Sequence, residues 1–370
     1  MPGRLLRIVH VDAVRGWGGG QVQTLMLARG LAQRGHGVTV VCQPGSALEQ
    51  RAVDAGLEVA PLRMRHTADL LALLALVRLF RRMAPEVVHL HSATAHTLGS
   101  IAARRARVPA IIASKRTAFA CNRSRAARRR YTRWVDRVVA VSTGARDALV
   151  QAGVPAEQVA VIHSAVDCAR FRPADRGRAR LELDLPARAA IVGCVGRLTH
   201  DKGHHLILEA ARPIAAARPD ALFLICGEGE AAAALHDQRR RAGLADRVRF
   251  LGHCDDVRPA LAALDVFALP SLQEGLGVAL LEAMAMAKPA VASRAGGIPD
   301  ALDDGVTGLL VPPGDAQALA GAILSLLADP ECRARMGAAA RARAAAFFNH
   351  EIMIAETEAL YYGLLSATSS

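Results

Sequence analysis

The stretch Pro270-Ser271-Leu272-Gln273-Glu274-Gly275-Leu276-Gly277-Val278-Ala279-Leu280-Leu281-Glu282-Ala283-Met284-Ala285-Met286-Ala287-Lys288-Pro289 decides how the chain is read. It follows Val266–Leu269, an unbroken apolar run of the kind shown by a strand buried on both faces. Two glycines then mark a turn, and good helix formers follow. The first amides of such a helix have no carbonyl partner and can hold a phosphate. Glu282 falls on that helix, on a face otherwise made of Val278, Leu281 and Ala285. An acid buried there needs a partner, such as a pair of ribose hydroxyls; the common alternative for Glu274 and Glu282 is a solvated surface position. A continuous helix would separate the two carboxylates by about 12 Å. Hydrolytic carboxylate pairs lie about 5–9.5 Å apart, which weighs against glycoside hydrolysis.

The same rhythm of apolar run, turn and helix repeats outward from this stretch. In the second half the strand candidates are Ala190–Val195, Leu222–Cys226, Val248–Leu251, Val266–Leu269 and Ala290–Ser293. In the first half they are Leu6–Val11, Gly37–Cys42, Val87–Leu90, Ala110–Ala113 and Val138–Val141. Strands alternating with helices predict α/β architecture with parallel sheets. The pattern occurs twice in 370 residues, more than one core usually organises, so two domains are expected. The proline-bearing connection Asp167–Leu185 is the expected boundary.

Open parallel sheets bind ligands at the carboxyl ends of their strands, and the polar motifs fall there. Arg15-Gly16-Trp17-Gly18-Gly19-Gly20-Gln21 follows the first strand and opens a helix. Its glycines let backbone amides approach a phosphate; a plain strand-to-helix turn is the alternative. The spacing is not the dinucleotide fingerprint, which counts against a dehydrogenase. Gly196-Arg197-Leu198-Thr199-His200-Asp201-Lys202-Gly203 follows the first strand of the second half. Arg197 as a fork and Lys202 as a point charge can converge on one diphosphate, although two loop cations are commonly just solvated.

Taken in order, the Gly18-Gly19-Gly20 turn, Val195-Gly196-Arg197-Leu198 with Lys202-Gly203, Cys226-Gly227-Glu228-Gly229, and Glu274 with Glu282 resemble the retaining GT-B glycosyltransferases of family 4, also called glycosyl transferases group 1. The resemblance spans nearly the whole chain. It implies two facing Rossmann-like domains with parallel sheets and an interdomain cleft: an acceptor domain at 1–168, a nucleotide-sugar donor domain at 169–345, and a C-terminal helix at 346–370 packing back on the first domain. It also implies retaining, metal-independent transfer of a hexose-type sugar from a UDP- or GDP-linked donor, with no cofactor. Arg197 and Lys202 would grip the diphosphate, Glu274 would orient the donor sugar, and Glu282 would hold the ribose. Leu276, Gly277 and Val278 would offer backbone amides, as would Gly18–Gly20. Gly227 and Gly229 would let the chain pass close to the nucleotide. His91 matches a histidine beside the reacting sugar; a packed, hydrogen-bonded histidine is the alternative, and His89 and His96 are weaker candidates. Ala113-Ser114-Lys115-Arg116 departs from the pattern, since many members carry a histidine at that strand end.

The formal net charge is +12, and Lys115–Arg137 carries nine basic residues against Asp136 alone. Read as a helix, Arg125, Arg129 and Arg133 form a basic stripe continuing to Arg137. Together with Lys115 and Arg116 it suits an anionic acceptor or an anionic membrane surface. A glycan or lipid-linked acceptor, phosphorylated or not, and peripheral contact with the inner face of the cytoplasmic membrane are therefore expected. So is a role in cell-envelope glycan or lipopolysaccharide-type synthesis. No apolar run approaches the roughly 20 residues of a membrane span, and the N-terminus lacks a signal-peptide pattern. The expected location is the cytoplasm. The seven cysteines show no C-x-x-C or metal-ligand spacing and read as separate thiols, with no metal site. A nucleic-acid-binding protein would explain the charge but lacks interleaved stacking aromatics. A GT-B nucleotide-sugar epimerase or hydrolase would share the donor motifs.

Overall fold

The computed structural model describes residues 4–117 and 131–368. The chain divides into two compact units, Met1–Ser164 with His350–Ser370 and Ala165–Asn349. Each unit is a parallel sheet covered by helices.

In the first unit the strands are β1 (Arg7–Asp12), β2 (Gly37–Cys42), β3 (Glu58–Pro61), β4 (Val87–Leu90), β5 (Ala110–Lys115), β6 (Arg137–Ala140) and β7 (Val159–Val161). Their order is β3-β2-β1-β4-β5-β6-β7, and every pairing is parallel. The strand order reverses between β1 and β4, which opens a crevice at their carboxyl ends. Leu70–Met83 forms a helix because Ala72, Leu76, Val77 and Phe80 recur at helical spacing and bury one face. Asp69 caps it by accepting from the Ala72 amide. The other face stays in solvent, with Leu70, Leu71 and Leu74 at one end and Arg78, Arg81 and Arg82 at the other.

The helix His350–Thr368 belongs to this same unit. Ile354 packs where a side chain on Gly30 would stand, and Glu358 bonds Arg34 and His36. Tyr361 is fully buried, with its hydroxyl 2.5 Å from His89 Nδ1.

In the second unit the strands are β8 (Ala190–Val195), β9 (Ala221–Cys226), β10 (Val248–Gly252), β11 (Val266–Leu269), β12 (Ala290–Ser293) and β13 (Leu309–Val311). Their order is β10-β9-β8-β11-β12-β13, all parallel, with the reversal between β8 and β11. Buried Asp265 secures that junction: its Oδ2 accepts from the Ile191 amide at 2.8 Å and from buried Arg180 at 2.7 Å. The chain enters and leaves this unit side by side, since the Val166 amide donates to the Phe348 carbonyl at 2.8 Å.

The strands absent from the sequence reading, β3, β7 and β13, all lie at sheet edges and span three or four residues. Edge strands are short and half solvated, so they lack the continuous apolar run. Two cysteines correct the reading of separate thiols: Cys226 and Cys254, 28 positions apart, are joined by a disulfide. The parallel register sets Cys226 opposite Gly252, a proximity invisible in the spacing. Arg137 is also corrected, because it opens strand β6 and does not continue a helix. Arg125 and Arg129 lie outside the described residues, and Arg133 is exposed.

Candidate functional site

The loops after β8 and β11 meet at the reversal point of the second sheet. Arg197 follows β8, is exposed, and pairs with no carboxylate among the described residues. Lys202 closes a short 3-10 turn, and its Nζ donates to Glu274 Oε2 at 2.8 Å. The Glu274 carboxylate also accepts from the Gly275 amide and the Ser271 hydroxyl, which fix its direction. Gly203, at φ +68, ends the 3-10 turn; a Cβ there would stand 2.1 Å from the Pro270 carbonyl oxygen. The two loops therefore touch backbone to backbone at a place where only glycine fits.

Gly277 caps the helix Val278–Ala285 at φ +92. The first bond of the cap runs from the Leu281 amide to the Gly277 carbonyl, so the amides of Val278, Ala279 and Leu280 have no carbonyl a turn back. They form an anion cradle at the positive end of the helix. Leu276 contributes only backbone here, since its side chain is 2% exposed in the core. Glu282 sits one turn further on. Burial pushes its carboxyl up to about 8, Arg170 opposing and Asp256 reinforcing the shift. No protein group bonds that carboxyl among the described residues.

Gly227 and Gly229 also have a packing reason. A Cβ on Gly227 would stand 1.9 Å from the Gly196 carbonyl oxygen, and one on Gly229 2.3 Å from that of Leu198. The Leu198 amide donates to the Glu228 carbonyl and the Ala231 amide to that of Leu198. These glycines lace the loop after β9 onto the loop bearing Arg197, and so hold the cation in place.

In the first unit the carboxyl ends of β1, β4 and β5 carry a buried polar layer. His10 and Asp12 alternate on β1, His89 and His91 on and just after β4, and Ser114 and Arg116 at the end of β5. Arg116 Nη2 donates to His91 Nδ1 at 3.0 Å, so His91 carries its proton on Nε2. That nitrogen faces His10 Nδ1 at 2.9 Å, which leaves His10 with a buried Nε2–H that has no partner among the described residues. His89 bonds Tyr361 and, at 2.7 Å, Ser114. Burial, then neighbouring charge, pushes His10 down to about 3 and His89 and His91 well below the usual imidazole range. The three rings could span a metal ion by distance. Both nitrogens of His89 and His91 are already engaged, and the Arg116 cation lies against His91, so the cluster reads as a hydrogen-bonded layer.

Asp12 directs the glycine turn: it accepts from the Val14 amide and the Gln21 side chain, with Thr24 Oγ1 at 3.5 Å. Gly18 precedes the helix Gly19–Gln33, whose first turn holds no acid. The Arg116 side chain passes 3.6 Å from where a Cβ of Gly20 would stand. Burial lowers the Arg116 guanidinium to about 10, Asp12 and Tyr361 opposing the shift. Lys115 is the last residue of β5, and the pleat sends it to the opposite face from Ser114. The structure thus brings His91, Arg116 and Gly20 together and leaves Lys115 and Arg133 apart. His10 and Asp12 were missed by sequence reasoning, although polar residues at alternate positions of a buried strand are a visible anomaly.

Two parallel sheets, each with polar loops at its reversal point, make two Rossmann-like units with ligand-binding geometry at the carboxyl ends of their strands. Residues 17–170 match the family model described as Glycosyltransferase Family 4, and residues 175–343 the model described as Glycosyl transferases group 1. The lipopolysaccharide core biosynthesis glycosyltransferase LpsE of Rhizobium meliloti is 30% identical over 323 residues, 86% of this chain and 88% of that one. The 2-deoxystreptamine N-acetyl-D-glucosaminyltransferase of Streptomyces fradiae is 31% identical over 381 residues, 91% and 90% of the two chains. A GDP-mannose-dependent monoacylated alpha-(1-6)-phosphatidylinositol monomannoside mannosyltransferase of Corynebacterium glutamicum is 37% identical over 202 residues; that match spans 51% of this chain and about half, 52%, of the relative. Anabaena HepE, solved in complex with UDP-glucose, superposes with a TM-score of 0.87 at 25% identity, over 98% of this chain and all of that one (100%). The chain belongs to the family 4 glycosyltransferases of GT-B fold.

Proposed function

We propose that the chain transfers a hexose-type sugar from a UDP- or GDP-linked donor to an acceptor hydroxyl with retention of configuration and without a metal. The convergence of Arg197, the Lys202–Glu274 pair, the free amides of Val278–Leu280 and the unpartnered Glu282 at one reversal point carries this reading. Cations and a helix end suit a diphosphate, a carboxylate held by Lys202 suits sugar hydroxyls, and Glu282 suits a ribose. Positive groups aimed at the leaving diphosphate stabilise the charge that develops in the transition state. The relatives named for GDP-mannose and solved with UDP-glucose support a nucleotide-sugar donor.

The acceptor we infer is a cell-envelope glycan or glycolipid of the lipopolysaccharide type, in keeping with the relative LpsE. Peripheral contact with the inner face of the cytoplasmic membrane is supported by exposed Leu70, Leu71 and Leu74 beside Arg78, Arg81 and Arg82. No described helix is long and apolar enough to cross a membrane. In a reducing cytoplasm Cys226 and Cys254 would stand as thiols.

Calorimetry with UDP, GDP and ADP, with and without chelator, tests the donor site. One nucleotide class should bind in chelator, and Arg197→Ala and Glu282→Ala should each weaken it about tenfold or more. Binding to none of the three would overturn the reading. Anomeric NMR of the product then reads retention, and turnover without an acceptor would assign a hydrolase or epimerase instead.

A further inference from the structure

A polar concavity lies in the first unit, and its lining includes neither His91 nor Arg116. It is a pocket of about 520 Å³ bounded by Ala13, Arg15, Gln43, Arg63, Met64, Arg65 and Thr94. These residues follow β1, β2, β3 and β4, so the pocket stands at the carboxyl edge of the sheet. Its floor is fixed: the Gln43 amide donates to the Ala13 carbonyl and to that of Met64, and the Met64 amide returns a bond to Gln43 Oε1. The volume is in the range of about 300–1,000 Å³ typical of small-ligand sites.

The charge of this lining is one-sided. Arg15, Arg63 and Arg65 are three guanidinium groups around one cavity, and none pairs with a carboxylate among the described residues. The acid on the same loop, Asp69, accepts from the Ala72 and Arg65 amides, and the Arg65 charge helps to hold its carboxyl low without a direct ion pair. All three arginines are exposed; gathered around one preformed floor, their planar forks match the oxygens of phosphate or carboxylate, and an oxyanion there meets a lining of one sign. Thr94 adds a hydroxyl beside them.

We propose that Arg15, Arg63 and Arg65 form a binding site for an oxyanion, a phosphate or carboxylate, carried by the acceptor. The assignment to the acceptor rests on the donor reading above, in which the diphosphate already has Arg197, Lys202 and a helix end in the other unit.

The test uses the full chain carrying Arg197→Ala and Lys202→Ala, so that the donor cations are gone, and titrates inorganic phosphate by calorimetry. Phosphate should bind, and adding Arg63→Gln with Arg65→Gln should weaken it about tenfold or more; Arg63→Lys with Arg65→Lys should restore part of the loss. An unchanged titration would overturn the site. The nucleotide bound in the donor titration above, added to the otherwise native chain, reads the donor site separately. Equal affinity for it with and without Arg63 and Arg65 supports the acceptor assignment, and a matching loss of that affinity overturns it. Sedimentation with phosphatidylglycerol vesicles against neutral ones separates the sources: loss of vesicle binding in the glutamine variants assigns a lipid-borne group, and retention beside lost phosphate binding assigns a soluble one. Melting temperatures of all variants within about 2 °C of their parents identify the losses as local.

Discussion

Glu282 and Gly227 show how single residues tie chemistry to fold. The folded-state carboxyl of Glu282 is raised from 4.5 to about 8. Between those values the native state keeps a proton that the unfolded chain has released, so this group makes stability fall as pH rises from about 4.5 to about 8. Glu282→Gln should therefore melt higher than the parent at pH 8–9, with the gap closing near pH 4.5; a gap that does not change with pH would mean that the carboxyl is not desolvated. Gly227→Ala forces a Cβ onto the Gly196 carbonyl at φ +148, so it should destabilise by about 2–3 kcal/mol and displace Arg197. Gly321 lies mid-helix with nothing within 4 Å of a Cβ, and Gly321→Ala should stabilise by about 0.5–1 kcal/mol. Chemical denaturation of the pair checks both signs. At this scale the placement of Arg197, Lys202, Glu274 and Glu282 was legible, since they stand at a reversal point that the strand pattern implied. What each residue touches was not legible. The lacing role of Gly227 and Gly229 depends on carbonyls about thirty residues earlier in sequence, and the proton arrangement of His91 depends on Arg116 in another strand.

At the scale of elements, the helix Leu70–Met83 buries one face and leaves a leucine end and an arginine end in solvent. Leu71→Asp with Leu74→Asp should leave the melting temperature within about 2 °C of the parent, because both side chains are already exposed. The same change should abolish sedimentation with anionic vesicles if this face meets lipid; unaltered vesicle binding would remove the face from the argument. The long central strands were legible as apolar runs, whereas β3, β7 and β13 were hidden by their brevity and half-exposure. Glu58 and Pro61 in β3 are residues that read as loop. The disulfide Cys226–Cys254 was hidden for a related reason, because register between parallel strands follows from the whole crossover and not from the spacing of two residues.

At the scale of the molecule, two sheets with separate cores imply two responses to one ligand. Saturation with whichever of UDP or GDP binds should slow hydrogen exchange in the loops at 196–203 and 270–282 and leave the core strands of the first unit unchanged; protection confined to the first unit would contradict the donor assignment. The twofold α/β rhythm made this division readable from sequence.

The Val166–Phe348 hydrogen bond has a topological meaning. A segment whose two ends are neighbours is an insertion: Ala165–Asn349 leaves its host at almost the point where it entered, and the host chain resumes with the helix that completes its own layer. Such a segment is interchangeable in principle. A closed cassette can be replaced by another with equally close ends without rethreading the host.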